Sequence, residues 1–235
     1  MQFVRIQARR VVATLAVIVC VLVALHLASF IPELLGYGTK PIMLLNLDGE
    51  QNFASLYSSL LLWFCAALTW FVSKAVQERK ESRKWMGLSI VFSYLATDEA
   101  VSLHERLSIL LRDGGNPLGL DRFAWLLPYS VILLILALAY ISFFWKLPAG
   151  IRLRIALGGA LFIGGGMGCE FLGWAWLNFN GGSVGYQLEI MAEEILEMIG
   201  SIVLISALLG YLSNHCSCAG VVVSSPDAVV SAERN

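Results

Sequence analysis

Six stretches of this chain, at about 11–32, 53–73, 85–111, 123–145, 152–178 and 186–212, each carry about 20 or more mainly apolar residues. A bilayer core about 30 Å thick is crossed by a helix of about that length, and lipid supplies no partners for unbonded backbone groups. The segments therefore predict an all-α, polytopic membrane helix bundle with six transmembrane helices. Composition agrees: 58% hydrophobic, 14% charged and a mean hydropathy of +0.74 are too apolar for a soluble domain of 235 residues. Residues 1–213 read as one transmembrane domain. The tail, 214–235, is small, polar and unpatterned, and is expected to be disordered. The first apolar run follows the basic "MQFVRIQARR" but exceeds a signal-peptide core in length, so it reads as a retained signal anchor.

An even number of spans puts both termini on one side. Connectors "KAVQERKESRKW" and "KLPAGIRLR" are dense in Lys and Arg, whereas "GYGTKP", "RDGGNPLGLDR" and "NFNGGSVGYQ" are turn-rich. Of the 16 Lys and Arg, all but Lys40, Arg106, Arg112 and Arg122 then lie on the side of the termini, which the positive-inside rule makes cytoplasmic. A net charge of −1 with no basic domain excludes nucleic acid as a partner. The lipid bilayer is the expected surrounding, and a homo-oligomer is among the assemblies this reading allows.

The five cysteines, Cys20, Cys65, Cys169, Cys216 and Cys218, show no disulfide framework, and "HCSC" at 215–218 falls outside the usual zinc spacings. Trp70, Trp85, Trp125, Trp145, Trp174 and Trp176 lie near span ends and read as interfacial anchors. His26 reads as a polar packing residue. Asp48, Glu50 and Asn52 precede the second span, where capping and the helix dipole favour such residues.

The unusual feature is acidic. Eight of the 17 Asp and Glu residues fall inside predicted spans, on only three of them: Asp98, Glu99 and Glu105 on the third, Glu170 on the fifth, and Glu189, Glu193, Glu194 and Glu197 on the sixth. Under the expected topology all eight share one depth in the outer half of the bilayer. Helical periodicity gives Tyr94, Asp98, Ser102 and Glu105 one polar stripe flanked by Glu99 and His104, and puts Glu189, Glu193 and Glu197 on one face. One shared cavity is expected. The run "GGGMGCEFLG" leading to Glu170 reads first as close helix packing. An acidic residue at a helix centre costs roughly 2.5–3.5 kcal/mol to insert, so eight need neutralisation by a bound cation, by protons shared between carboxyl groups, or by His104, Arg106, Arg112 and Arg122.

"YLATDEAVSLHE" in the third span, "AEEILEMIG" in the sixth and "NLDGEQNFASLYSSLLL" before the second resemble a family of bacterial six-span integral membrane proteins of unknown function. The resemblance implies six helices in a bacterial inner membrane, with a DEAxxxHE motif (Asp98, Glu99, His104, Glu105) and an EExxEMxG motif (Glu193, Glu194, Glu197). It implies no activity.

From the residues themselves, a divalent cation is the expected cofactor, because clustered carboxylates with one imidazole suit hard or borderline ions. The expected ligands are Asp98, Glu105, His104, Glu170, Glu189, Glu193 and Glu197. If the site is a membrane-embedded metal-dependent enzyme, His104, Glu99 and Glu105 are its acid–base candidates, acting on a small-molecule or lipid-like substrate. The alternatives are a proton- or cation-coupled transporter using the same side chains, and a polar network that fixes helix packing or docks a partner.

Overall fold

The computed structural model describes residues 4–34, 42–47, 52–113, 124–173, 184–215 and 221–224. Its helices are α1 (Ala8–Leu34), α2 (Phe53–Ala75), α3 (Arg79–Val101), α4 (Leu103–Asp113), α5 (Leu126–Lys146), α6 (Ala149–Ile163) and α7 (Val184–His215). A π-helical turn, Gly164–Cys169, carries α6 onward to Gly173. A short parallel pair joins the ends of the chain: β1 (Val4–Gln7) lies beside β2 (Val221–Ser224), with Val4 opposite Val221. Those four tail residues are thus in a strand; the rest of the tail, with Cys216 and Cys218, lies outside the described residues.

Five helices among the described residues are long and apolar enough to cross a membrane: Ala8–Ile31, Phe53–Ala75, Leu126–Lys146, Ala149–Gly173 and Leu188–His215. The expected third span is different. Its 85–111 stretch begins earlier, at Arg79, and breaks at Ser102 into α3 and α4. The Lys, Arg, Asp and Glu residues that α3 carries at both ends lower its hydropathy below that of the five.

The bundle is built around α2 and α7. Helix α3 packs along α2, α6 along α7, and α1 also lies on α7. Small residues permit the close approach of α2 and α3, where Ser59 Oγ donates to Ala96 O (2.7 Å) and Ser89 Oγ to Ala66 O (2.9 Å). Leu61, Cys65, Met198, Ile205 and Leu209 fill the α2–α7 seam. By contrast α1 and α5 bury little, and α1 exposes Val17, Val21 and Leu25 as α5 exposes Val131, Leu134 and Leu138. A helix apolar all round yet exposed is one whose solvent is lipid.

One aromatic expectation changes here. Trp85 is fully buried, edge-on to Phe143 with centroids 5.2 Å apart, and donates through Nε1 to Glu81, which also accepts from Tyr211 (2.6 Å). It is a core residue, not an anchor. Trp70 and Trp145 are exposed with Lys74 and Arg152 over their rings, as interfacial residues would be. Trp174 and Trp176 lie outside the described residues. His26 is a buried packing residue: its Nδ1 accepts the Leu47 N–H (3.1 Å), tying α1 to the turn before α2. Asn52 caps α2, exchanging bonds with Ser55 in a capping box. Asp48 and Glu50 lie outside the described residues.

Candidate functional site

Helix α3 stops where Ser102 adopts the left-handed conformation (φ 53°, ψ 53°). For a residue with a Cβ this costs roughly 1–2 kcal/mol, so something must hold it. Asp98 does. Its backbone carbonyl accepts the Ser102 N–H (2.7 Å), and its Oδ1 accepts the N–H of His104 (2.8 Å) in the first turn of α4. The same oxygen lies 3.2 Å from His104 Nδ1. Its other oxygen accepts the Tyr129 hydroxyl of α5 (3.0 Å), whose own oxygen is 2.7 Å from that of Tyr94. With the Tyr129 proton committed to Asp98, Tyr94 is the donor in that last bond. Tyr94, Tyr129, Asp98 and His104 thus form one hydrogen-bonded chain across three helices.

The aromatic wall completes this corner. Trp125 packs on His104 (centroids 4.9 Å apart) and stands edge-on to Tyr129 (5.0 Å), while its backbone N–H donates to Ser108 Oγ (3.2 Å). Trp125 is therefore part of the site, contrary to its reading as an anchor. The stripe expected on the third helix is interrupted at Ser102, which is buried, and the break itself brings His104 back against Asp98.

A test of the capping role separates shape from charge. Asp98→Asn keeps an acceptor for the His104 amide and is expected to melt within a degree or two of the native protein. Asp98→Ala loses the cap and is expected to be less stable by about 0.5–2 kcal/mol. Thermal unfolding in detergent measures both; equal losses would refute the cap.

On the opposite wall, Glu189, Glu193 and Glu197 recur every four residues along α7 and face α6. The glycines there do more than allow packing. Gly158 and Gly200 are the backbone crossing: a Cβ on Gly200 would lie 2.6 Å from Phe162 N and 2.8 Å from Gly158 O. Gly165 meets the backbone of α7, where a Cβ would lie 2.9 Å from Glu193 O. Gly166, in the π turn, leaves the space that the Glu197 carboxylate occupies. Gly173 does the same for Glu189, whose Oε2 would be 2.7 Å from a Cβ. Gly164 and Gly168 have open space beside them. Plain packing thus accounts for some of the run, and accommodation of carboxylates for the rest.

Asp98, Glu99, Glu105, Glu170, Glu189, Glu193, Glu194 and Glu197 all line one cavity of about 770 Å³, with His104, Tyr94, Trp125 and Tyr129. The charges of Glu170, Glu189 and Glu194 bear on Glu193, and those of Glu99, Glu170, Glu193 and Glu194 on Glu197. Every residue expected at the site is thus brought to one space. No Lys or Arg stands among the described lining residues, and Arg106 is exposed away from it. The side chain of Arg112, and all of Arg122, lie outside the described residues. The carboxylates surround the cavity without closing on a point: among the described residues, no three His, Cys, Asp or Glu side chains are gathered as a metal's coordination sphere.

Residues 12–212 match the model of a family described as a domain of unknown function, DUF8692. The chain belongs to the DUF8692 family. The match covers the five candidate spans, short of the first four residues of the first and the last three of the last, and all eight cavity carboxylates, so the acidic cavity lies wholly within the DUF8692 domain. No curated protein and no solved structure matches the chain.

Sequence reasoning missed Tyr129 and Trp125. The signal was available in "FAWLLPYS", where a tyrosine interrupts an otherwise apolar span, but nothing in one segment says which partner its hydroxyl meets.

Proposed function

We propose that this DUF8692 protein is a six-span membrane protein that binds a cation, in the first instance a divalent metal ion, between the carboxylates of α3, α6 and α7. Helix α3 counts as the sixth span: 23 residues reach about 34 Å, and its charged residues lie at its ends. Both termini are cytoplasmic on the Lys and Arg distribution, and the acidic end of the cavity lies toward the outer face of a bacterial inner membrane.

The observation that carries the reading is the convergence of eight carboxylates from three helices on one space. Like charges in a low-dielectric region repel strongly, and a cation between them turns that repulsion into attraction. Glutamate side chains are long enough to draw inward around an ion. Glu189, Glu193 and Glu197 from α7 and Glu170 from α6 are the principal ligands. Asp98 is already held by His104 and Tyr129, so it orients rather than coordinates first; Glu105 and His104 complete the mouth. If the bound ion activates water, Glu99, Glu105 and His104 are the groups placed to move its proton.

Ion-coupled transport is the second reading. Both walls of the cavity are helices interrupted at the site, by the left-handed Ser102 on one side and the π turn Gly164–Cys169 on the other. Such interruptions are typical of ion and substrate sites in transporters. Flux of protons or cations into proteoliposomes, lost in Glu193→Gln, would establish it.

Cation binding predicts thermal stabilisation. A divalent cation at 100 times its dissociation constant adds about 2.7 kcal/mol. In metal-free protein, Mn²⁺, Ca²⁺ or Mg²⁺ is expected to raise Tm by several degrees. Glu193→Gln/Glu197→Gln is expected to abolish the rise; a rise of the same size in that variant would refute the reading.

A further inference from the structure

The carboxylates occupy only one end of the cavity. From there it continues between α3, α5 and α6 along Val91, Leu95, Leu133, Leu136, Ile155 and Phe162, side chains with nothing to offer an ion. Its volume, about 770 Å³, falls in the range of sites for organic ligands, roughly 300–1,000 Å³, whereas a water molecule fills about 30 Å³. Three of its lining residues, Ile90 (65%), Ile132 (51%) and Tyr94 (47%), are strongly exposed on the flank of the bundle. On the six-span reading α3 and α5 both lie at membrane depth, so this side opening faces the acyl chains of lipid and not only water.

We infer that the cavity takes a single-chain amphiphile with a protonated amine head, which enters sideways from the bilayer, sets its ammonium among Glu170, Glu193 and Glu197, and lays its alkyl chain along the apolar arm. This rests on the cation-binding reading and names the kind of molecule that carries the charge. Charge complementarity selects the head: an ammonium offers donors and positive charge to acceptor-only carboxylates, whereas a phosphate or sulfate head meets eight like charges. The Tyr94 hydroxyl oxygen, on the exposed flank of the cavity, gives the ammonium a neutral acceptor to pass on its way in.

The test uses the full chain in nanodiscs of zwitterionic lipid, with dodecylammonium as probe, empty nanodiscs subtracted and Mn²⁺ binding measured in parallel. Saturable binding of about one dodecylammonium per chain is expected, with butylammonium, dodecanol and dodecyl sulfate each at least tenfold weaker. Leu136→Trp, which fills the apolar arm, is expected to weaken dodecylammonium at least tenfold and leave Mn²⁺ unaffected; Ile132→Trp at the mouth is the second variant should the first fail to fold. Glu193→Gln/Glu197→Gln is expected to weaken both probes. Equal binding of butylammonium, dodecanol or dodecyl sulfate, or indifference to both tryptophans, would overturn the amphiphile. Mn²⁺ binding that depends on the glutamates with no dodecylammonium binding would overturn the amphiphile alone. Indifference of both probes to the glutamates would overturn the cation reading beneath it.

Discussion

Gly200→Ala is expected to lower the melting temperature by about 4–12 °C. The atoms that a Cβ would meet are backbone: Phe162 N at 2.6 Å, Gly158 O at 2.8 Å and Phe162 Cα at 3.0 Å. A flexible side chain could swing away, but a helix backbone cannot without moving the helix. Overpacking costs about 1–3 kcal/mol where side chains adjust, and this contact stands at the upper end. About 2–4 °C per kcal/mol for a chain of this size gives the range above. Moving α6 off α7 also displaces Gly166 and Gly173 from Glu197 and Glu189, so cation binding should weaken together with stability. The controls are Gly150→Ala and Gly159→Ala, where a Cβ has no neighbour within 4 Å. Helix propensity makes them neutral or stabilising by up to about 1 kcal/mol. Thermal unfolding of the three variants decides it; equal behaviour would mean that α6 and α7 do not cross at Gly158 and Gly200.

Glu193→Gln/Glu197→Gln is expected to move stability and binding in opposite directions. In metal-free protein the double variant should melt several degrees above the native chain, because Glu193 and Glu197 stand under the like charges of Glu99, Glu170, Glu189 and Glu194. With cation present the order should reverse, since only the native protein gains binding energy. A polar network kept for packing would behave otherwise: removing two of its members would cost stability under both conditions. Opposite signs are the mark of groups retained for function at the expense of stability. Melting curves with and without Mn²⁺ in both proteins give all four values.

The membrane character of the chain and most of its helix positions were legible from apolar run length alone, because lipid leaves the backbone so few choices. The convergence of the carboxylates was legible too. Four-residue spacing put Glu189, Glu193 and Glu197 on one face, and all eight line one cavity. What periodicity could not show was the interruption of that periodicity. Ser102 carries no glycine or proline warning; its left-handed turn is imposed from outside by Asp98 and His104. Likewise "GGGMGC" reads as a packing surface until the π turn is seen to set Gly166 beneath Glu197. Trp85 and Trp125 misled because nearness to a span end is a statement about depth, and burial depends on which neighbour the ring meets.

The cation-binding claim is tested most directly by counting the ion. Native protein and the Glu189→Gln/Glu193→Gln/Glu197→Gln variant would be stripped with chelator, reloaded by dialysis against Mn²⁺, Ca²⁺ or Mg²⁺, and assayed by elemental analysis. The account predicts about one divalent ion per native chain and none above background in the variant. Equal metal in the two proteins, or none in the native protein at millimolar cation, would contradict it.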